Sequence, residues 1–331
     1  MSALSDGIRR VGRAPVILAG VWALTLLVGL PLAGAMRSAL AQHLGPSLAA
    51  DTAANGVNYD WMQEFADQAL GVEATFKPTI IGFGAVLDNL SALLDNAVRP
   101  IAIVATASIY MIAWLFVAGG IIDRYARDRA TGANGFFAAS GVFFFRFLRL
   151  AIVQWIVYMF LFAIVHVWLF DTLYPRLTHE VTAERTAFLV RLALYLVFGA
   201  LLAAAMLVFD YAKVRAVVED RRSMLGALGA ALGFIRRNAM AAVGLFAANF
   251  ALFLAVIAIY ALVAPGAGGA GASMWIALAI AQAYVLARLW VKLVFWASET
   301  ALFQSRLAHA GYVARPAPVW PESAAAEAIR S

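Results

Sequence analysis

Residues 188–209 read FLVRLALYLVFGALLAAAMLVF, an apolar run in which Arg191 is the one charged residue. A helix needs about 20 such residues to cross a hydrocarbon layer that is about 30 Å thick. A membrane-spanning β-strand would instead alternate in polarity over about ten residues. The run therefore predicts a transmembrane α-helix.

Five further runs of the same kind predict a bundle of about six transmembrane helices. Together with 188–209, the predicted spans are 16–36, 101–122, 150–170, 239–264 and 274–296. The chain is 64% hydrophobic and 13% charged, against about 45–50% and 25% in soluble domains. The predicted fold class is all-α, a polytopic transmembrane helical bundle with amphipathic interfacial helices.

The arginines and lysines predict one orientation for the whole bundle. Segments that lie inside carry an excess of these residues. The predicted inside cations are Arg9, Arg10, Arg13, Arg124, Arg127, Arg129, Arg146, Arg149, Lys213, Arg215, Arg221, Arg222, Arg236, Arg237, Arg306, Arg315 and Arg330. Residues 37–100 are acidic and are predicted to lie outside.

This orientation divides the chain into three parts. Residues 1–15 form a cytoplasmic N-terminus, residues 16–297 a six-span membrane domain that includes the extracytoplasmic helical segment 37–100, and residues 298–331 a cytoplasmic C-terminal tail. The abundance of alanine, arginine and glycine predicts a bacterial protein of the cytoplasmic (inner) membrane. The inside cations also account for the basic pI of about 9.8, so we expect no nucleic acid partner.

The first span has an alternative interpretation as a signal peptide. Ala39 and Ala41 flank Leu40 in an A-x-A pattern after a basic start. The apolar run is longer than the usual 7–15 residues of a signal peptide and is followed by Arg37, which favours a retained anchor.

The acidic segment 37–100 has the periodicity of amphipathic helices. Its apolar residues recur at helical spacing, in one set before Pro78 and another after it: Trp61, Phe65, Ala69 and Leu70, then Ile80, Phe83, Leu87, Leu90 and Leu94. We expect a helical hairpin that lies on the outer leaflet or caps the bundle. The alternative is a docking face for a protein partner in the cell envelope.

The two longest predicted inside loops resemble each other. Each begins with an aspartate and a nearby tyrosine, passes through a charged stretch and an apolar segment, and ends in arginines: 123–149 and 210–237. The lengths differ by one residue, which suggests a parallel repeat of spans two with three and spans four with five. Chance similarity between two basic loops is the alternative.

The second loop, DYAKVRAVVEDRRSMLGALGAALGFIRRN (210–238), resembles a pattern in an uncharacterised family of six-span bacterial membrane proteins. That family includes the membrane domain sometimes fused to glycerophosphodiester phosphodiesterases. The first loop, GGIIDRYARDRA (119–130) followed by FFAASGVFFFRFLRL (136–150), looks like a version of the same pattern. The resemblance implies a six-helix bundle associated with lipid or envelope functions, and it supplies no catalytic residues.

The sequence predicts neither an enzyme nor a cofactor site. It contains no cysteine, no phosphate-binding glycine loop and no H-E-x-x-H zinc motif. Its four histidines are scattered, and His166 is interpreted as a packing residue within span three. We therefore expect no catalytic residues, no metal and no cofactor.

Two groups of charged residues are the candidate sites. Arg146, Arg149, Arg236 and Arg237 are the lipid or anion-binding candidates, because basic residues beside apolar rings favour anionic headgroups of membrane lipids. In the alternative, the phenylalanines of 136–147 pack inside the bundle and the arginines of this hairpin pair with Asp123 or Asp128. Asp210, Arg288 and Lys292 form a predicted intramembrane charge site, because charges at membrane depth need partners.

These features predict a non-catalytic helical bundle that binds lipid or a partner protein in the cell envelope. The alternative is a transporter or permease-like protein for a small or lipid-like solute. The suspected repeat, the charged face of span six and Pro31 in span one would supply its pathway.

Overall fold

The computed structural model describes residues 2–45, 47–266 and 271–307, and it confirms the all-α bundle. The helices in chain order are α1 (Ala3–Gly12), α2 (Pro15–Leu44), α3 (Ala50–Asn55), α4 (Tyr59–Gln68), α5 (Phe83–Leu94), α6 (Ile101–Arg127), α7 (Ala133–Phe160), α8 (Tyr174–Thr178), α9 (Glu184–Val218), α10 (Met224–Arg237), α11 (Ala239–Val263) and α12 (Ala272–Arg306). Between α7 and α8 the helix continues in π geometry over Leu161–His166 and Trp168–Leu173.

Within the described ranges, six helices are long and apolar enough to span a membrane. They are α2, α6, the continuous helix Ala133–Thr178, α9, α11 and α12. The chain is therefore an integral membrane protein by length and composition of its helices. The predicted tail 298–331 is described only as far as residue 307, and Arg315 and Arg330 lie outside the described residues.

Several helices extend well past the predicted spans. The 35 residues of α9 correspond to about 53 Å at 1.5 Å per residue, whereas the hydrocarbon layer is about 30 Å thick. Hydropathy marks only the part that lipid requires to be apolar. Beyond that part the helix contains charged residues, and Arg215 there pairs with Glu219, the residue that follows α9, at 2.7 Å.

The core is concentrated at one end of the bundle, which we call the basic end. It contains α1, the start of α7, α10 and the C-terminal parts of α6, α9 and α12. The most completely buried large side chains there include Tyr125, Phe147, Tyr211 and Phe303. Towards the other end the helices expose many aliphatic and aromatic residues, as expected where lipid is the solvent.

Residues 3–12 of the predicted N-terminal tail form a docked helix. Arg10 of α1 is buried, and its Nη1 donates to the carbonyl of Tyr125 at 2.8 Å and to Oε1 of Gln304 at 2.7 Å. Gly7 lies against Ser298, where an added Cβ would be 2.6 Å from the serine Cβ. This glycine therefore allows α1 to approach α12 closely at the basic end.

The acidic segment 37–100 is helical, as predicted, and its two apolar stripes differ in burial. Trp61 and Phe65 of α4 are buried, and the Trp61 indole donates to Nδ1 of His43 at 2.9 Å. Leu87 and Leu90 of α5 are exposed. Trp61 and Phe65 are thus covered within the segment, whereas Leu70 of the first stripe and the two leucines of α5 are exposed.

Asp95, just after α5, fastens this segment to α9. Its carboxylate accepts hydrogen bonds from the Tyr195 hydroxyl and from Arg191 Nη2, the latter at 3.2 Å. The hydrogen bond from Tyr195 is the largest cause that holds the pKa of Asp95 below its usual value, and Ser91 and Arg191 add to it. Nearby, Nε2 of buried His166 donates to the carbonyl of Leu94 at 2.7 Å, consistent with its interpretation as a packing residue.

The two loops suspected of being repeats share one local geometry and then diverge. α6 ends at Arg127 and α7 begins at Ala133, while α9 ends at Val218 and α10 begins at Met224. Asp128 and Asp220 in these connections both have a left-handed φ, 45° and 48°. The apolar segment 135–150 then continues without a break into span three, whereas Asn238 separates α10 from α11. A common origin of the two units stays a prediction.

Candidate functional site

Asp210 is buried in α9, and its partners differ from those predicted. Its Oδ1 lies 2.9 Å from Nζ of Lys213 and accepts a hydrogen bond from the Trp296 indole at 3.3 Å. The sequence predicted a pair with Arg288 or Lys292, and neither forms an ion pair with Asp210 in the described part of the chain. Lys213 reaches the carboxylate from one turn along the same helix, so no gap between helices has to be crossed.

Lys292 of α12 instead faces aromatic rings. Its Nζ lies 5.1 Å from the ring centroid of Trp296 and 5.7 Å from that of Trp114 on α6. These are cation–π distances. Neither Asp210 nor Glu299 forms a salt bridge with Lys292 in the described part of the chain. The indole of Trp296 also donates to Asp210, so Lys292 is connected to the predicted charge site through this shared aromatic residue.

Arg288 stands apart from Asp210. Its guanidinium lies 5.5 Å from the ring centroid of Tyr284, which stacks on Tyr260 of α11 at 3.9 Å. Arg288 and Lys292 are both exposed, although the intervening Leu289 and Val291 are buried. The two cations thus lie on one face of α12 and are exposed at the surface of the bundle.

Glu299 is the most isolated carboxylate of the described core. Its residue exposure is 1%, and neither carboxylate oxygen has a hydrogen-bond partner among the described residues. It lies on the same face of α12 as Lys292 and Trp296, at i+7 and i+3. The buried hydroxyl of Tyr211 on α9 also lacks a partner there. These groups extend the charge cluster beyond the predicted residues.

The first basic hairpin is joined to the second by Arg146. Its Nη1 lies 2.6 Å from Oδ1 of Asp220 and 3.3 Å from the carbonyl of Arg221, and its guanidinium lies 5.1 Å from the Phe143 ring centroid. The predicted alternative partners are engaged elsewhere, since Asp123 pairs with Arg127. Arg146 therefore serves the structure as a link between the two loops.

Asp128, the second predicted alternative partner of the α7 arginines, also pairs with other residues. Arg13 Nη1 lies 3.1 Å and Arg9 Nη2 lies 3.9 Å from Asp128 Oδ2. Asp128 is thus paired with the region around α1 and not with the arginines of α7. The sequence places residues 1–15 in an N-terminal tail and therefore does not predict these partners.

The other three lipid or anion-binding candidates differ from Arg146 in exposure and in pairing: they are Arg149, Arg236 and Arg237. All three are exposed, and within the described ranges none of them forms an ion pair. Arg149 belongs to α7, and the other two end α10, which packs against α7 and α9. We call these three residues the arginine rim.

The phenylalanines of 136–147 divide between the core and the surface. Phe143 and Phe147 are buried, whereas Phe137 and Phe145 are more than half exposed. The two buried rings fit the prediction's alternative, in which the hairpin is structural. On α10, Leu225 and Leu232 are exposed as well. Apolar side chains therefore share the surface of α7 and α10 with the arginine rim.

Sequence reasoning left Lys213 and Trp296 out of the charge site. The i, i+3 spacing of Asp210 and Lys213 was a usable signal for their pairing. The spacing of Lys292, Trp296 and Glu299 likewise marks one helical face. No sequence signal indicated which neighbouring helix that face would meet.

No family model matches this sequence, and no curated protein and no solved structure matched it either. The resemblance of loop 210–238 to a six-span bacterial family therefore stays a prediction.

Proposed function

We propose that this protein is a non-catalytic membrane bundle whose basic end faces the cytoplasm and binds anionic lipid headgroups. The observation that supports the proposal is the arginine rim, three exposed cations without an ion-pair partner in the described residues. A cation already held by a carboxylate gains little from a headgroup. The three arginines of the rim have no such carboxylate among the described residues, so a headgroup can supply their counter-charge.

The surface around the rim suits the boundary between headgroups and acyl chains. Each basic residue near an anionic leaflet contributes about 1 kcal/mol, so three arginines supply roughly 3 kcal/mol before screening. Exposed Phe145, Leu225 and Leu232 add apolar surface beside them. Interfacial binding combines these two contributions.

The orientation can be tested with reporter fusions. We expect fusions at Asp67 and His179 to report the outside and fusions at Arg127 and Arg222 to report the cytoplasm, because cations are retained inside. A cytoplasmic signal at Asp67 would contradict the proposed orientation. Enzymatic reporters with opposite compartment requirements at each position provide the internal control.

The lipid contact can be tested by replacing the rim. We expect Arg149→Gln/Arg236→Gln/Arg237→Gln to weaken the binding of phosphatidylglycerol, relative to neutral lipid, by about a hundredfold, because roughly 3 kcal/mol of headgroup attraction is removed. Binding is measured as the phosphatidylglycerol that co-purifies with the protein from membranes of mixed anionic and neutral lipid.

Arg146→Gln is the matched control. It removes one arginine from the same surface, but that arginine is held by Asp220, so we expect at most a small effect on the binding of phosphatidylglycerol. Equal binding by wild type and the triple variant, with an unchanged helical spectrum, would refute the proposal.

A transporter is the second candidate, favoured by the charges of Asp210, Lys213 and Glu299 inside the bundle. Intramembrane ionisable residues often mark substrate or ion pathways. Such a pathway would serve a water-soluble solute, and the experiment below distinguishes it from a lipid site.

A further inference from the structure

Arg288 and Lys292 form a pair of cations without an anion. They lie four residues apart on α12, so about 5–6 Å separates their Cβ atoms. Neither side chain forms an ion pair or hydrogen bond with any described residue, and their contacts are the rings of Tyr284, Trp114 and Trp296. A ring face attracts a cation but leaves its N–H donors free.

The position of Arg288 and Lys292 along α12 determines which part of a lipid molecule can contact them. Counted from Ala272 at 1.5 Å per residue, Arg288 lies about 24 Å and Lys292 about 30 Å along a helix that crosses about 30 Å of hydrocarbon. Both are therefore near the acyl–headgroup boundary at the basic end. The phosphate of a lipid in that leaflet lies at this level.

The neighbouring carboxylates do not neutralise the pair by contact. Asp210 is held by Lys213 at 2.9 Å. Glu299 is buried and forms no ion pair with any described residue. Like charges at i, i+4 repel each other, so a bound anion would remove a repulsion as well as supply an attraction.

We infer that Arg288 and Lys292 bind the phosphate of one lipid with a phosphomonoester headgroup. Such a phosphate carries a charge of about −1.5 to −2 and has three acceptor oxygens, which match two cations with free donors. A phosphodiester carries one charge and fewer free oxygens. Tyr284 lies beside the cations towards α11, and Trp114 lies beside them towards α6. Both rings would pack against the part of the lipid next to its phosphate. This site is separate from the arginine rim and does not depend on it.

The test uses the full chain in nanodiscs of neutral lipid, with phosphatidic acid or phosphatidylglycerol added in small amounts. We expect native mass spectrometry to show one phosphatidic acid retained per chain in addition to the anionic lipid at the arginine rim, with about tenfold preference over phosphatidylglycerol at this additional site. Arg288→Gln/Lys292→Gln should abolish that preference. Arg288→Lys/Lys292→Arg should keep most of it, because the charges remain.

Two controls separate this site from other causes. The rim variant Arg149→Gln/Arg236→Gln/Arg237→Gln should retain the single phosphatidic acid, so the two sites can fail independently. Arg185→Gln, at an exposed cation near the start of α9, should also leave it unchanged. Thermal midpoints of all variants report whether the fold survives, and the charge-conserving variant keeps the test valid if the neutral one unfolds.

Three results would overturn the inference. Equal retention of phosphatidic acid and phosphatidylglycerol by wild type would contradict a monoester site. Unchanged preference in Arg288→Gln/Lys292→Gln would place the lipid elsewhere. Displacement of the lipid by inorganic phosphate in the millimolar range would indicate an aqueous anion site, as a transporter requires.

Discussion

Asp210→Ala is expected to lower the free energy of unfolding by about 3–5 kcal/mol, the usual cost of removing one partner from a buried ion pair. Lys213 would keep its charge with its side chain only 12% exposed. The Trp296 indole N–H would lose its acceptor at the same time. The measurement is reversible denaturation in detergent micelles or bicelles, followed by circular dichroism.

The double variant Asp210→Ala/Lys213→Met separates the lost pair from the lost packing. Replacing both charges with apolar groups is often nearly neutral or even stabilising, so we expect this variant to recover most of the loss. A decrease below about 1 kcal/mol for Asp210→Ala would contradict the buried pair and indicate a hydrated surface pair. The same small decrease would argue against a charge cluster inside the bundle.

Gly120→Ala is expected to destabilise the bundle by about 1–3 kcal/mol through overpacking. An added Cβ at this position would be 2.5 Å from Oγ of Ser140 and 2.7 Å from the carbonyl oxygen of Phe136. The carbonyl belongs to the backbone of α7 and cannot rotate away. α6 and α7 would have to separate at the basic end, where both enter the core.

Gly141→Ala is the matched control on α7. Nothing lies within 4 Å of a Cβ built there, and alanine favours a helix over glycine by about 1 kcal/mol. We therefore expect an unchanged or slightly raised unfolding midpoint. If Gly120→Ala behaved like Gly141→Ala, the close crossing of α6 and α7 would be wrong.

The transmembrane helices were predictable because the transfer of a segment into lipid depends on that segment's own residues. The run 188–209 predicted α9 without reference to any neighbour, and the stripe that contains Trp61 and Phe65 predicted a helix in the acidic segment. The predicted ends were less accurate. α9 runs beyond the apolar run through charged residues such as Arg215, which pairs with Glu219 just after the helix.

The candidate site was predictable only in part, because residue type indicates a need for a partner and does not identify it. Asp210 needed a cation and found Lys213 on its own helix, while Arg146 found Asp220 across two loops. Arg146 and Arg149 are the same residue type in similar sequence surroundings. The sequence therefore does not show which of them forms an ion pair. The exposure of Arg149 became clear only from the packing of α7 and α10.

The sequence by itself therefore determined that lipid surrounds most of this protein, which segments form its transmembrane helices, and the end of the bundle at which its cations gather. These depend on the hydropathy and charge of consecutive residues, which add up locally along the chain. Only the tertiary structure decided that α1 docks through Arg10 and that Glu299 is buried without a hydrogen-bond partner among the described residues. It also decided that Arg288 and Lys292 are exposed. The reason is geometric, since each outcome depends on which helix faces which, and such contacts join residues far apart in the chain.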